Sequence, residues 1–281
     1  MSSYYSPAKI NLFLRVIRRR PDGFQELASL FQTISLCDIL DIKPIEHNSH
    51  DQLTCTDPTI PTDDNNLVLK AVNLFRRKTG LTFHVDIHLT KNIPHQAGLG
   101  GGSSNAATTL WALNELLNSP ATLPQLMEWG AELGSDVPFF FSSGIAYCTG
   151  RGEIIQSMPP LPKTPVTIVK PKEGLSTPLI FKALDLNETS KTDPQLILDS
   201  FYTNAPIYVN DLETPAFKIM PRIGQLKIEL LEKGFETVLM TGSGSAFFCI
   251  GEKVKFPLDL HIKTEEKVHF LVRQNDSWYH P

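Results

Sequence analysis

Between Ala8 and Val16 apolar and polar side chains alternate with the period of a β-strand. Ile10, Leu12, Leu14 and Val16 share one face; Lys9, Asn11, Phe13 and Arg15 share the other. Pro21-Asp22-Gly23 reads as the turn that follows. The period then changes. Leu67, Val68, Ala71, Leu74 and Phe75 form the stripe of an amphipathic helix, with capping residues across Thr62–Asn66 and a stop at Gly80. Phe83, Val85, Ile87 and Leu89 return to alternation and predict a strand that leads to Pro94. A helix is expected from Asn105 to Leu117, beginning near Ser103. Another runs to Leu133 behind a capping box of Thr122 and Gln125, and Gly134-Ser-Asp-Val-Pro138 closes it with turn residues.

Met158-Pro-Pro-Leu-Pro-Lys-Thr-Pro165 is rich in breakers and marks the best boundary in the chain. Beyond it, Val166–Val169 reads as a strand and Ile223–Leu231 as a helix stopped by Gly234. Val238–Met240 and Ala246–Ile250 read as two strands around Thr241-Gly-Ser-Gly-Ser245. The expectation is an α+β chain (α/β, two-layer) in two domains, residues 1–160 and 161–281.

Composition narrows the classes. A chain of 281 residues can bury a sizeable core without a disulfide or metal staple. Lys and Arg total 26 against 30 Asp and Glu, a net charge of -4. That balance argues against a nucleic-acid partner, which needs a basic face, though a local nest of N–H groups could still hold a small anion. Cys37, Cys55, Cys148 and Cys249 show no CxxC pair, so neither a zinc site nor a disulfide framework is indicated. Met1–Pro7 lacks the basic flank and apolar core of a signal peptide, and no apolar run approaches the ~20 residues of a membrane helix. The expected location is the cytoplasm, with no membrane and no obligate protein partner.

Gly98-Leu-Gly-Gly-Gly-Ser-Ser104 is the most informative stretch. It lies between a strand and a helix, where consecutive N–H groups and a helix N-terminus can converge on phosphate. It lacks the Gly-Lys-Ser/Thr of a P-loop, and Ser103 breaks the last glycine of a dinucleotide fingerprint. Read alone, Lys9 is an ordinary strand lysine and Asp136 a turn aspartate. Beside a phosphate loop, the cation can stabilise a transferring phosphoryl group, and the acid against Phe139-Phe-Phe141 can accept a hydroxyl proton. Gly242-Ser-Gly244 reads equally as a hairpin turn or a second phosphate-side loop. His84, Asp86 and His88 share a strand face, but a solvated face explains them better than a metal.

Pro7-Ala-Lys-Ile-Asn-Leu-Phe-Leu14, Pro94-His-Gln-Ala-Gly-Leu-Gly-Gly-Gly-Ser-Ser-Asn-Ala-Ala107 and Met240-Thr-Gly-Ser-Gly-Ser-Ala246 together resemble the three motifs of the GHMP kinases. Leu133-Gly-Ser-Asp-Val-Pro-Phe139, Asp22-Gly-Phe24, Asn66-Leu67, Ser176-Thr-Pro-Leu-Ile-Phe181 and Asn210-Asp-Leu-Glu213 extend the likeness over nearly the whole chain. They are similar to the branch that acts on a cytidine diphosphate methylerythritol in non-mevalonate isoprenoid synthesis. The resemblance implies a two-domain fold whose cleft holds ATP and substrate, and ATP-dependent phosphorylation of the 2-hydroxyl. Mg2+ would travel with the nucleotide, without a dedicated protein cage.

By the same resemblance Asp136 is the general base, and Lys9 stabilises charge at the hydroxyl and helps keep Asp136 ionised. Asn66 and Lys91 fall near the nucleotide. Pro94, His95, Gln96, Ala97, Gly98, Leu99, Gly100, Gly101, Gly102, Ser103 and Ser104 wrap its phosphates. Asn11, Thr177, Gly242, Ser243 and Gly244 line the acceptor side. Phe24 and Phe181 sandwich the base, and Gln25 stands where the family usually has histidine, offering an amide donor and acceptor. Two rivals stay open: another GHMP kinase of the homoserine or mevalonate type, and a GHMP-fold sensor without turnover.

Overall fold

The opening alternation extends well beyond its apolar residues. In a computed structural model, which describes residues 1–45, 50–203, 205–251, 262–274 and 277–280, it becomes β1 (Ser2–Arg19). A tight turn, closed by the Arg20 N–H on the Phe24 carbonyl at 2.8 Å, leads to β2 (Gln25–Ile45), which pairs antiparallel with β1. Next come β3 (Gln52–Cys55), α1 (Leu67–Thr79), β4 (His84–Thr90), α2 (Gly101–Leu116) and α3 (Leu123–Leu133). A short 3-10 turn, Pro138–Phe141, precedes β5 (Ile145–Gly150) and β6 (Ile154–Ser157). These strands form one sheet in the order β3-β4-β2-β5-β6, with β1 also on β2.

The remaining elements are β7 (Pro165–Pro171), α4 (Thr177–Ala183), α5 (Pro194–Ser200), α6 (Glu213–Ile219), α7 (Pro221–Glu232), β8 (Thr237–Met240), β9 (Phe247–Ile250) and β10 (Ile262–His269). They build a second sheet in the order β10-β7-β9-β8. The change of sheet falls across the Pro-rich segment, between Ser157 and Pro165. Among the described residues no helix is long and apolar enough to cross a membrane.

Two expectations need correcting. The faces of β1 are not one apolar and one polar, because the whole run from Tyr5 onward to Val16 is half-buried or buried. A register shift between Asn11 and Phe13 turns Phe13 into the same core as Ile10 and Leu12. That core joins the sheets through Ile168, Leu239 and Phe248, while Leu14 and Val16 pack with Val169, Ile223 and Leu226 under α7. Second, α2 begins at Gly101, earlier than its apolar stripe suggests, because Gly100 serves as the N-cap.

The first core lies between the larger sheet and α1–α3, and the tail of the chain enters it. Trp278 stacks on Trp111 at 5.0 Å, meets Phe141 edge-on and donates its indole N–H to the Tyr5 carbonyl at 2.7 Å. Arg273 donates to the carbonyls of Phe141 and Ser142, both at 3.0 Å. A cut at residue 160 therefore divides the sequence but leaves the tail in the first core.

At the start of α1 the Asn66 side chain accepts the Val68 N–H at 2.9 Å, satisfying a donor that has no intrahelical partner. Asn66→Ala is expected to lower stability by about 1 kcal/mol, read as a lower urea midpoint at unchanged m-value.

Candidate active site

The glycine loop is fixed from three sides. The Lys9 N–H donates to the Leu99 carbonyl at 2.9 Å, and the Ala246 N–H to the Ala97 carbonyl at 3.2 Å. Gly98 lies at φ +76°, and a Cβ there would sit 2.0 Å from the Thr241 carbonyl oxygen. No other residue allows the loop and the β8–β9 hairpin to touch backbone to backbone in this way. At Gly100 a side chain would strike the stem of Lys9 at 2.9 Å. The free N–H groups of the first α2 turn thus open beside Lys9, an arrangement that attracts phosphate.

On the outer side of this loop a cavity of about 390 Å³ is lined by Asn66, Leu67, Pro94, His95, Gln96 and Lys91, and by the loop itself. Lys91 supports the loop from below: its ammonium donates to Asp38 at 2.7 Å and to the Ile93 carbonyl. Ser103 reaches the cleft, whereas Ser104 does not, contrary to the expectation that both hydroxyls face phosphate. Ser104 is fully buried and its Oγ accepts from Ser6 at 2.9 Å. Adjacent helical residues point about 100° apart, so only one of the two can face the ligand.

On the inner side a cavity of about 780 Å³ holds Lys9, Asn11 and Asp136 on one wall and Thr177, Gly242, Ser243 and Gly244 on the other. The Lys9 ammonium donates to Asn11 Oδ1 at 2.7 Å, lies 3.5 Å from the Asp136 carboxylate and sits 4.5 Å from the Phe31 ring centre. Its side chain is 4% exposed and that of Asp136 29%, so the carboxylate faces the cleft and the cation backs it. Asn11 is held in turn. Its Nδ2 donates to Ser29 at 2.9 Å, and its backbone N–H to Thr241 Oγ1 at 3.1 Å. Cys148 also lines this wall; burial, and secondarily the charge of Asp136, push its thiol well up, so it stays protonated and does not compete as a nucleophile.

A wider cavity of about 1100 Å³ adjoins this one and is lined by Phe24, Gln25 and Phe181, with Arg19, Arg151 and Lys182. Phe24 is 54% exposed at the edge of this cavity, so its flat face is accessible for stacking. Phe181 lines both cavities and Thr177 hydrogen-bonds Ser243 at 2.7 Å, which ties α4 to the hairpin.

Several residues that hold the site together have no role assigned by the sequence. Thr241 lies within 3.3 Å of both Asn11 Oδ1 and the Gly98 carbonyl, so it links lysine, loop and hairpin. Asn210 donates to the carbonyls of Met240 at 2.6 Å and Gly242 at 2.8 Å, holding the hairpin open toward the cleft. Asp38 is an acid inside the apolar run Leu36–Leu40, a break in pattern that marks a buried partner. The alternatives for Gly242–Gly244 merge: the segment connects an antiparallel pair and lines the cleft.

The pattern of the GHMP kinases N terminal domain matches residues 66–144, which hold α1, the glycine loop and Asp136. Fold and cleft together define this class of small-molecule kinase, ATP-using phosphotransferases. A protein of Protochlamydia amoebophila (strain UWE25) named 4-diphosphocytidyl-2-C-methyl-D-erythritol kinase is 52% identical over 98% of this chain and 92% of its own length. A chloroplastic kinase of the same name from Arabidopsis thaliana is 44% identical over 98% of this chain and 75% of its own. A crystal structure of 4-(cytidine 5'-diphospho)-2C-methyl-D-erythritol kinase aligns with a TM-score of 0.77 at 36% identity, covering 90% of this chain and 91% of that one. With identity this high across nearly the full length, the chain belongs to the 4-diphosphocytidyl-2-C-methyl-D-erythritol kinase family.

Proposed function

We propose that the protein transfers the γ-phosphoryl group of ATP to the 2-hydroxyl of 4-diphosphocytidyl-2-C-methyl-D-erythritol, a step of non-mevalonate isoprenoid synthesis. The observation that carries this reading is the Lys9–Asp136 pair, 3.5 Å apart, in a cavity between the glycine loop and the pocket of Phe24 and Phe181. Cytosine would stack between the two rings, since both present a flat π-face. The 2-hydroxyl then reaches Asp136. As its oxygen attacks the γ-phosphorus, its proton passes to the Asp136 carboxylate, the bond to the β–γ bridging oxygen breaks, and ADP leaves with that electron pair. Lys9, held by Asn11, offsets charge on the transferring group, and the α2 N–H groups hold the phosphates that stay behind.

Ser103 Oγ of the glycine loop faces the cleft and would be the oxygen offered to a nucleotide-borne Mg2+, and no metal-holding cluster of His, Cys, Asp or Glu occurs among the described residues. Such a sparse oxygen set suits Mg2+, which keeps most of its shell from water and phosphate. Held there with the nucleotide, Mg2+ would supply charge neutralisation on the phosphate oxygens. Three of the four cysteines are buried and none lies in a CxxC pair, which supports a reducing, cytoplasmic setting.

The test is ADP release with magnesium ATP and each of three acceptors. Turnover is expected with the cytidyl substrate, and none with homoserine or mevalonate. Turnover with either of the latter alone would transfer the protein to another branch of the superfamily, and tight ATP binding without any turnover would favour the sensor.

A further inference from the structure

Arg151 lies in the turn between β5 and β6 and is the one charged side chain, among the described residues, that lines both the Asp136 cavity and the Phe24 cavity. Its guanidinium carbon sits 4.9 Å from the centre of the Phe24 ring, which fixes it at the mouth of the base-side cavity. The next residue in the turn, Gly152, approaches Asp136: a Cβ built there would lie 3.5 Å from Asp136 Oδ1. The same turn therefore borders the reacting centre and the base pocket.

The side chain is 42% exposed, and its nearest carboxylate is Glu153, 3.6 Å from Nε. Glu153 is occupied elsewhere as well, accepting the Arg151 backbone N–H at 2.6 Å. The guanidinium is thus engaged at Nε, and its two terminal nitrogens remain for a ligand. An arginine fork matches phosphate oxygens in pairs, which a point-charge ammonium does not.

We propose that Arg151 binds the diphosphate that links the cytidine to the methylerythritol. This rests on the substrate reading above. If the base lies between Phe24 and Phe181 and the hydroxyl at Asp136, the linker must cross the junction of the two cavities, and Arg151 is the cation there. Its role is substrate binding at the linker; Lys9 is the cation of the phosphoryl-transfer step.

The test uses Arg151→Ala and Arg151→Lys in the full-length enzyme, with KM for both substrates and inhibition constants for CDP and for cytidine. Arg151→Ala is expected to raise KM for the cytidyl substrate and the constant for CDP by about tenfold to a hundredfold, the scale of paired charge-assisted hydrogen bonds. The constant for cytidine, which has no phosphate, and KM for ATP should stay near wild type, and Arg151→Lys should recover part of the loss. Equal weakening of CDP and cytidine would overturn the proposal in favour of a stacking role on Phe24. A rise confined to KM for ATP would overturn it in favour of a contact with the donor phosphates. Wild-type enzyme that neither turns over the cytidyl substrate nor binds CDP would instead remove the substrate reading, and the proposal with it.

Discussion

Asp136→Asn is expected to retain the fold and the affinity for ATP while lowering kcat by about 10²–10⁴-fold, the usual contribution of a general base. The amide keeps the shape of the side chain and its place 3.5 Å from Lys9, but it has no basic oxygen to take the hydroxyl proton. The affinity for ATP should hold because the N–H groups offered to the phosphates belong to the glycine loop and the first turn of α2, which the substitution leaves in place. Steady-state kinetics paired with a calorimetric ATP titration separates the two effects. A kcat indistinguishable from wild type would take the role of base away from Asp136. A collapse of ATP binding would show instead that the carboxylate supports the loop.

Asp38→Asn carries the larger cost in stability, about 3–5 kcal/mol, because it strands a buried cation. Asp38 is fully buried and accepts four donors: the Lys91 ammonium at 2.7 Å, the N–H groups of Asn92 and Ile93 at 2.8 Å each, and Asn105 Nδ2 at 2.9 Å. An asparagine turns one acceptor into a donor facing other donors and removes the charge that balances Lys91. Urea unfolding gives the loss directly. A rise in KM for ATP should accompany it, since Lys91 and Asn105 carry the strand end and the helix that flank the glycine loop. Removing the cation as well, in Asp38→Asn with Lys91→Met, should restore part of the stability, as expected when an uncompensated charge is the cause. A single variant within about 1 kcal/mol of wild type would mean that water reaches this site.

The elements that could be read from the sequence are those with one wet face. β4 alternates half-buried and buried residues along its whole length, and α1 has a stripe, a cap and a stop, so period and punctuation agreed. β2 was not anticipated, because its middle is buried on both faces and the alternation vanishes there. In β1 the alternation locates the strand but not its faces, since a register shift is invisible to a count of two.

At the site, the glycine loop, Lys9 and Asp136 were legible because loop, cation and acid have a chemical reason to occur together. Ser103 and Ser104 are equivalent in the linear motif, and only the rotation that α2 imposes from Gly101 sends one to the cleft and the other to the core. Arg151 gives no signal: an arginine between two glycines is an ordinary turn until the fold sets it over Phe24 and its neighbour Gly152 beside Asp136.

The position of the tail sets an order on biosynthesis. Trp278 fills a seat made by Trp111, Phe141 and Tyr5, all translated before the second sheet begins. On the ribosome the first half can form its strands and helices, yet the seat against α2 stays open until the second sheet has been made. During that interval the ring of Trp111 and the apolar edge at Phe141 face outward. A nascent chain arrested after β9 would therefore expose an aromatic groove beside α2, a ready point of attachment for a chaperone.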